Sequence, residues 1–138
     1  MEEKINESTP QRPEGERTVD AALVAIDLPK FIEQIKNEPA WRNGPRNAIT
    51  VFKSDRLRIV LIALHAGAEM PTHTAEGMIS VQVLEGSLRF GTKEDTVLLT
   101  QGHLVALHDR IPHSVLALQE SLFLLTLAPV PKRDETFF

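Results

Sequence analysis

From Asn47 onward, apolar and polar residues change places with a period of two, as in strands whose successive side chains point to opposite faces. Leu57, Ile59, Leu61 and Ala63 alternate first with Arg56 and Arg58, then with Val60 and Ile62. The run therefore begins half-solvated and becomes apolar on both sides. A strand of that kind is expected between two sheets or at a subunit interface. Further strands are predicted over 78–84, 87–90, 96–99, 103–107, 113–118 and 122–127. Between them lie the turn formers Glu85-Gly86-Ser87, Lys93-Glu94-Asp95, Gln101-Gly102, Asp109-Arg110 and Gln119-Glu120. Many short strands at close, regular spacing predict an all-β antiparallel sandwich or barrel.

Ahead of the strands, one segment has helical spacing. Asp27-Leu28-Pro29 opens it, Phe31, Ile32 and Ile35 share one face, and Pro39 stops it. Its expected role is structural. Residues 1–18 hold only Met1 and Ile5 as apolar side chains, with five Glu. Such a segment buries too little to offset its ordering entropy, and a flexible tail is expected. The predicted division is a tail over 1–18, a barrel with its N-terminal helix over 19–130, and a C-terminal tail over 131–138. Between helix and strands, Trp41-Arg42-Asn43-Gly44-Pro45-Arg46-Asn47 carries the only Trp. It has two readings: a seal of the helix against the barrel, which is preferred, or a lid over a pocket mouth.

Composition narrows the chemistry. The 138 residues are 42% hydrophobic and 25% charged, enough for one ordinary core. Cys and Tyr are absent, which removes disulfides, thiolate nucleophiles, Cys-ligated metals and any phenolic acid. The formal charge of -4 lends no support to nucleic-acid binding. The first residues contain no apolar core of a secretory signal. The longest aliphatic run, Ile59 to Leu64, is far short of the ~20 residues a membrane helix needs. The expectation is a soluble, cytoplasmic protein with neither nucleic acid nor membrane as partner. No glycine-rich phosphate loop and no G-x-S-x-G elbow occurs.

Two stretches resemble the paired motifs of the cupin superfamily. Gly67-Ala-Glu-Met-Pro-Thr-His73, continuing to Val83-Leu84-Glu85-Gly86, is similar to the first, G-x5-H-x-H-x3,4-E-x6-G. Gly102, then His108-Asp109-Arg110 and His113, is similar to the second, G-x5-P-x-G-x2-H. The resemblance spans about residues 46–128. It implies a single-domain double-stranded β-helix, a jelly-roll barrel of the small RmlC-like type, with a pocket inside one end. In metal-binding cupins four ligands come from these motifs. Here His73 and His113 stand at two of those positions, Ala75 and Ile79 at the others. His108 and Arg110 replace the second motif's Pro and Gly.

Two imidazoles alone leave a first-row metal largely to water, and an apolar Ile79 gives the cation no balancing charge. The favoured expectation is therefore a ligand-binding barrel with no complete metal site. His73 and His113 would face an apolar cavity walled by Ala75, Ile79, Val81, Val83 and Val115, with His108 next in line as a contact. No cofactor is expected. The alternative is a metal-dependent enzyme of dioxygenase or isomerase type, holding Fe, Mn, Ni or Zn on His73, His113 and a third ligand among Glu69, Glu76 and His108. A metal-free epimerase with His73 as base is the weakest option, because only a carboxylic acid such as Glu76 could replace the missing Tyr. The apolar run Val60–Leu64, with Leu116, Leu118, Leu122 and Leu124, suggests a homodimer with a closed two-fold interface.

Overall fold

The computed structural model describes residues 4–6 and 17–131. Within them the elements run β1 (Lys4–Asn6), β2 (Arg17–Asp20), α1 (Leu28–Asn37), α2 (Pro39–Asn43), β3 (Arg46–Lys53), β4 (Arg58–Leu64) and β5 (Glu69–His73). They continue as β6 (Gly77–Glu85), β7 (Ser87–Thr92), β8 (Thr96–Thr100), β9 (Leu104–Leu107), β10 (His113–Ala117) and β11 (Ser121–Pro129). A five-stranded sheet in the order β3-β4-β11-β6-β9 faces a four-stranded sheet in the order β5-β10-β7-β8, and β1 pairs with β2. Every pairing is antiparallel. This is the expected all-β jelly roll with a short helix ahead of it. Period two found most strands to within a few residues. β5 escaped it because Glu69-Met-Pro-Thr-His73 has no apolar alternation and carries a proline.

The inward faces of both sheets meet in one core. Ile62 and Leu64 from β4, Ile79, Val81 and Val83 from β6, Leu88 and Phe90 from β7, Val115 and Ala117 from β10 and Phe123 from β11 pack together. A second cluster lies on the outer face of the five-stranded sheet. There Leu61 and Ala63 of β4 meet Ile35 of α1, Trp41 of α2, Ile49, Val51 and Leu122. The doubly apolar strand thus has one face inside the barrel and the other under the helices. Of the expected placement between two sheets or at a subunit interface, the inner face does meet the second sheet, while the helix layer supplies the apolar partner of the outer face. The run that suggested a dimer is covered within one chain. Leu122 is buried and Leu124 packs against the helix cluster; of the leucines named with that run, Leu118 alone is exposed.

α1 begins as predicted, with the Asp27 carboxylate accepting from the Lys30 backbone N–H and a proline in the first turn. Pro39 does end α1, but it also starts α2 at a position where no N–H is needed. Pattern reading saw the stop and not the restart. The helix layer is pinned by Asn47, which is buried. Its Nδ2 donates to the Ile35 carbonyl at 3.0 Å and to Glu38 Oε1 at 3.0 Å. Lys36 at the end of α1 reaches Glu85 of β6 at 3.1 Å.

Most of the expected tails, residues 1–3, 7–16 and 132–138, lie outside the described residues; Lys4–Asn6 and Arg17–Asp20 form the β1–β2 pair. No helix among the described residues is long and apolar enough to cross a membrane.

Candidate functional site

His73 ends β5 and His113 begins β10, and the antiparallel register places them directly opposite each other. A bulge between His113 and Val115 lets Met70 and His73, three residues apart, both match β10 positions two apart. The two rings lie 4.4 Å apart between centroids, tilted by 58°. His113 is only 4% exposed and stacks on Phe90 at 5.5 Å, whereas His73 is exposed at the rim.

Each ring is held by the carbonyl two residues before it. His73 Nδ1 lies 2.8 Å from the Pro71 oxygen, and His113 Nδ1 lies 2.9 Å from the Ile111 oxygen. A carbonyl can only accept, so both Nδ1 atoms carry the proton and donate. In the neutral rings both Nε2 atoms are then acceptors. The pair presents two lone pairs at one end of the barrel.

The residues expected to wall a cavity do share one side of the barrel. Ile79, Val81, Val83 and Val115 are core residues, and Ala75 packs against them. They are closed over, however, by Phe90, Leu99 and Phe123. Alternation gives the side a residue faces but not the depth to which larger neighbours fill it. The space beside the pair lies instead at the end of the four-stranded sheet. There a groove of about 240 Å³ passes His113 between Thr72, Thr92, Lys93, Pro112 and Ser114. Thr72, Thr92, Lys93 and Pro112 were not singled out from sequence, because turn and strand-end residues carry no periodic signal, and alternation turns Ser114 away from His113.

The loop after β9 closes against the loop before β6. Arg110 donates its backbone N–H to the Ala75 carbonyl at 3.0 Å, and its Nε to Glu76 Oε2 at 3.0 Å. Its Nη1 donates to Asp109 at 3.3 Å. His108 sits exposed in this loop. The motif positions explain one another here. Gly67, Gly86 and Gly102 have φ of 84°, 89° and 87°, and Arg110, at the fourth glycine position of the paired motifs, also has positive φ, 60°. A side chain there costs about 1 kcal/mol or more. The exposed Arg110–Glu76 pair returns ~0–1 kcal/mol. Arg110→Gly is therefore expected to leave stability within about 1 kcal/mol of the parent, whereas Arg110→Ala should lower it. Chemical denaturation of the three proteins checks this. A loss with glycine as large as with alanine would place the cost in the side-chain contacts.

The donor set does not fit a three-ligand metal site. Glu69 is exposed and opposite Leu116, Glu76 is paired with Arg110, and His108 is exposed. No group of three His, Asp or Glu side chains placed to hold a metal occurs among the described residues.

The other histidines are structural. His65 stacks on Trp41 with centroids 3.4 Å apart and donates Nε2–H to the Trp41 carbonyl at 2.7 Å. Trp41 is buried in the helix layer, so the 41–47 segment seals the helices against the sheet. His103 Nδ1 accepts from the Thr100 backbone N–H at 3.1 Å.

No family model matches the chain, and no curated protein matches it in sequence. Solved structures do. An RmlC-like cupin protein from Desulfovibrio desulfuricans is 28% identical, over 62% of this chain and 84% of that one, with a TM-score of 0.57. The protein TT1209 from Thermus thermophilus is 31% identical, over 62% and 85%, with a TM-score of 0.56. A cupin-2 domain-containing protein from Shewanella frigidimarina is 13% identical, over 75% and 93%, with a TM-score of 0.61. Two facing antiparallel sheets, motif glycines at their positive-φ turns and these likenesses together make the chain a member of the cupin superfamily.

Proposed function

We propose that this cupin binds a small molecule at the His73–His113 end of the barrel, without a complete metal site. The observation that carries the reading is the shared tautomer. Both Nδ1–H groups are committed to backbone carbonyls, so both Nε2 atoms stand as acceptors on rings 4.4 Å apart. Two neighbouring acceptors suit a ligand that offers hydrogen-bond donors, such as a hydroxylated or amino compound. The apolar core beneath the pair fits the same class.

The same tautomer also suits metal ligation, in which a His often donates its other nitrogen to a carbonyl. What counts against that alternative is the third ligand, which the described residues do not provide. Two measurements test the reading. Metal analysis of protein purified from supplemented medium is expected to show far less than one Fe, Mn, Ni or Zn per chain. One equivalent would overturn the metal-free site. In NMR titrations with glycerol, D-glucose and ethanolamine, at least one compound is expected to shift His73 and His113 resonances saturably, and His113→Ala should abolish the response. Saturable shifts confined elsewhere, or none with any of the three, would sink the proposal.

A further inference from the structure

α1 and α2 pack on β3 and β4 of the five-stranded sheet. The outer face of the four-stranded sheet stands in solvent instead, with Thr72, Arg89, Thr96 and Leu98 all exposed. Alternation decides what that face presents. On β7, Leu88 and Phe90 are buried in the core, so Arg89 and Gly91 face outward, and Lys93 follows two positions on in the turn. On β10, His113, Val115 and Ala117 are buried, so Ser114 faces outward. The ladder sets Ser114 opposite Gly91, and Gly91 opposite Thr96. Gly91, Lys93, Ser114 and Thr72 of β5 all line the groove of about 240 Å³.

Gly91 makes the floor of this groove. It is not one of the glycines with positive φ, so its backbone conformation does not call for glycine. What it supplies is space. A Cβ there would lie 3.3 Å from Ser114 Oγ and 3.8 Å from Thr96 Oγ1, so its absence leaves a notch between two hydroxyls. Two cations bracket that notch. Residues two apart on a strand are about 6.6 Å apart, which an arginine side chain spans, and Lys93 lines the groove directly. Neither Arg89 nor Lys93 forms an ion pair with any described residue. Arg89 lies between Leu116 and Leu98, and the carboxylate of that row, Glu69, stands beyond Leu116. Glu94 and Asp95 follow Lys93 in the turn, where the Asp95 main chain bonds Thr92.

We infer that this outer face binds the phosphate group of a small phosphate monoester over Gly91. Arg89 and Lys93 neutralise it from either side, and the Ser114 and Thr72 hydroxyls donate to its oxygens. In a chain of formal charge -4, two cations without carboxylate partners around one glycine select an anion, and hydroxyl donors beside them select an oxyanion. The groove has room for a phosphate and a short stem, which Leu98 and Leu116 beside Arg89 can contact. The site is separate from the histidine pair: His113 borders the groove, but its ring stacks on the core residue Phe90.

Amide NMR of the full chain, titrated with glycerol 3-phosphate at low ionic strength, tests the site, with glycerol and with sodium chloride at matched ionic strength as blanks. Saturable shifts of the Gly91, Lys93 and Ser114 amides are expected in the low millimolar range with the phosphate and with neither blank. Arg89→Gln and Lys93→Gln should each weaken binding about threefold or more, and together about tenfold or more. Gly91→Val, which fills the notch with a residue suited to strands, should abolish the response. Lys53→Gln, at the end of β3, should leave it unchanged. No saturable shift at these amides would overturn the inference, as would equal shifts with glycerol. A response indifferent to the Arg89 and Lys93 double substitution, or lost with Lys53→Gln, would do the same, since either describes general charge screening. Retention of the chain on phosphatidic acid vesicles without a response to glycerol 3-phosphate would also overturn it, by placing the phosphate on a membrane. Both glutamine substitutions change exposed side chains, so they read the site even if Gly91→Val does not fold.

Discussion

The double substitution Ala75→His and Ile79→Glu is expected to raise affinity for Ni²⁺ by about 10²–10⁴-fold over the parent, since even supporting contacts to a metal are worth about 10–100-fold each. Isothermal titration calorimetry on both proteins reads it directly. Both positions lie on the inner side that also carries His113: Ile79 is in the barrel core and Ala75 packs against it. With His73 and His113 already tautomerically set, the additions complete a four-ligand donor set containing one carboxylate. The substitution also has a cost. Ile79 is 5% exposed among apolar neighbours, and an unpaired carboxylate there is expected to destabilise the metal-free variant by about 3 kcal/mol or more. Saturating Ni²⁺ should recover that loss, because binding to the folded state alone adds to its stability. Thermal melts with and without the ion make a second readout, and a variant that folds only with Ni²⁺ present gives the same answer. Equal affinity in parent and variant would show that positions 75 and 79 do not face the pair.

Gly86→Ala is expected to be strongly damaging for so small a change, with a loss of about 3 kcal/mol or more and a fall in Tm of about 10 °C. Two causes add. The backbone there has φ +89°, which a Cβ disfavours. A Cβ would also lie 2.3 Å from Ser121 Oγ, 2.4 Å from the Glu120 carbonyl oxygen and 2.7 Å from Ser121 Cα. Ser121 is fixed in turn, donating to the Gln119 carbonyl at 2.7 Å and accepting from the Ser87 N–H at 3.1 Å. Ser121→Ala in the same chain should therefore fail to rescue, since two of the three collisions are with backbone. Gly67 and Gly102 share the positive φ but have nothing within 4 Å of an added Cβ. Their alanine variants should lose only about 1 kcal/mol. Equal losses at all three positions would mean that conformation alone sets the cost. Differential scanning calorimetry of the series separates the two terms.

Much of the barrel was legible because its strands are half-buried. Where one face is core and the other solvent, as in Met78–Leu84, burial itself writes the period of two. The helix was legible for the same reason at its own period, with Asp27 and the proline of the first turn marking its start. β5 was not, because an edge strand with Pro71 and exposed Glu69 buries almost nothing that could leave a pattern. α2 was missed because Pro39 serves as a stop and a start with only five residues behind it. At the site, His73 and His113 could be named from motif spacing, but not their bulged register or the Arg110 tie to Glu76. Those depend on strand pairing and loop closure between residues more than thirty positions apart.

What the sequence determined by itself is therefore local. It set the alternation of inward and outward positions, the turns at glycines that take positive φ, and a donor set with neither Cys nor Tyr and with Ala75 and Ile79 at two ligand positions. The tertiary structure alone decided what those faces meet. It laid the helices over the outer face of β4, filled the barrel beneath the histidines with Phe90 and Phe123, and left the outer face of the four-stranded sheet in solvent. The physical reason is that burial is a property of pairs. A residue's own chemistry says that it gains by leaving water, but only the packed chain says which neighbour takes the water's place.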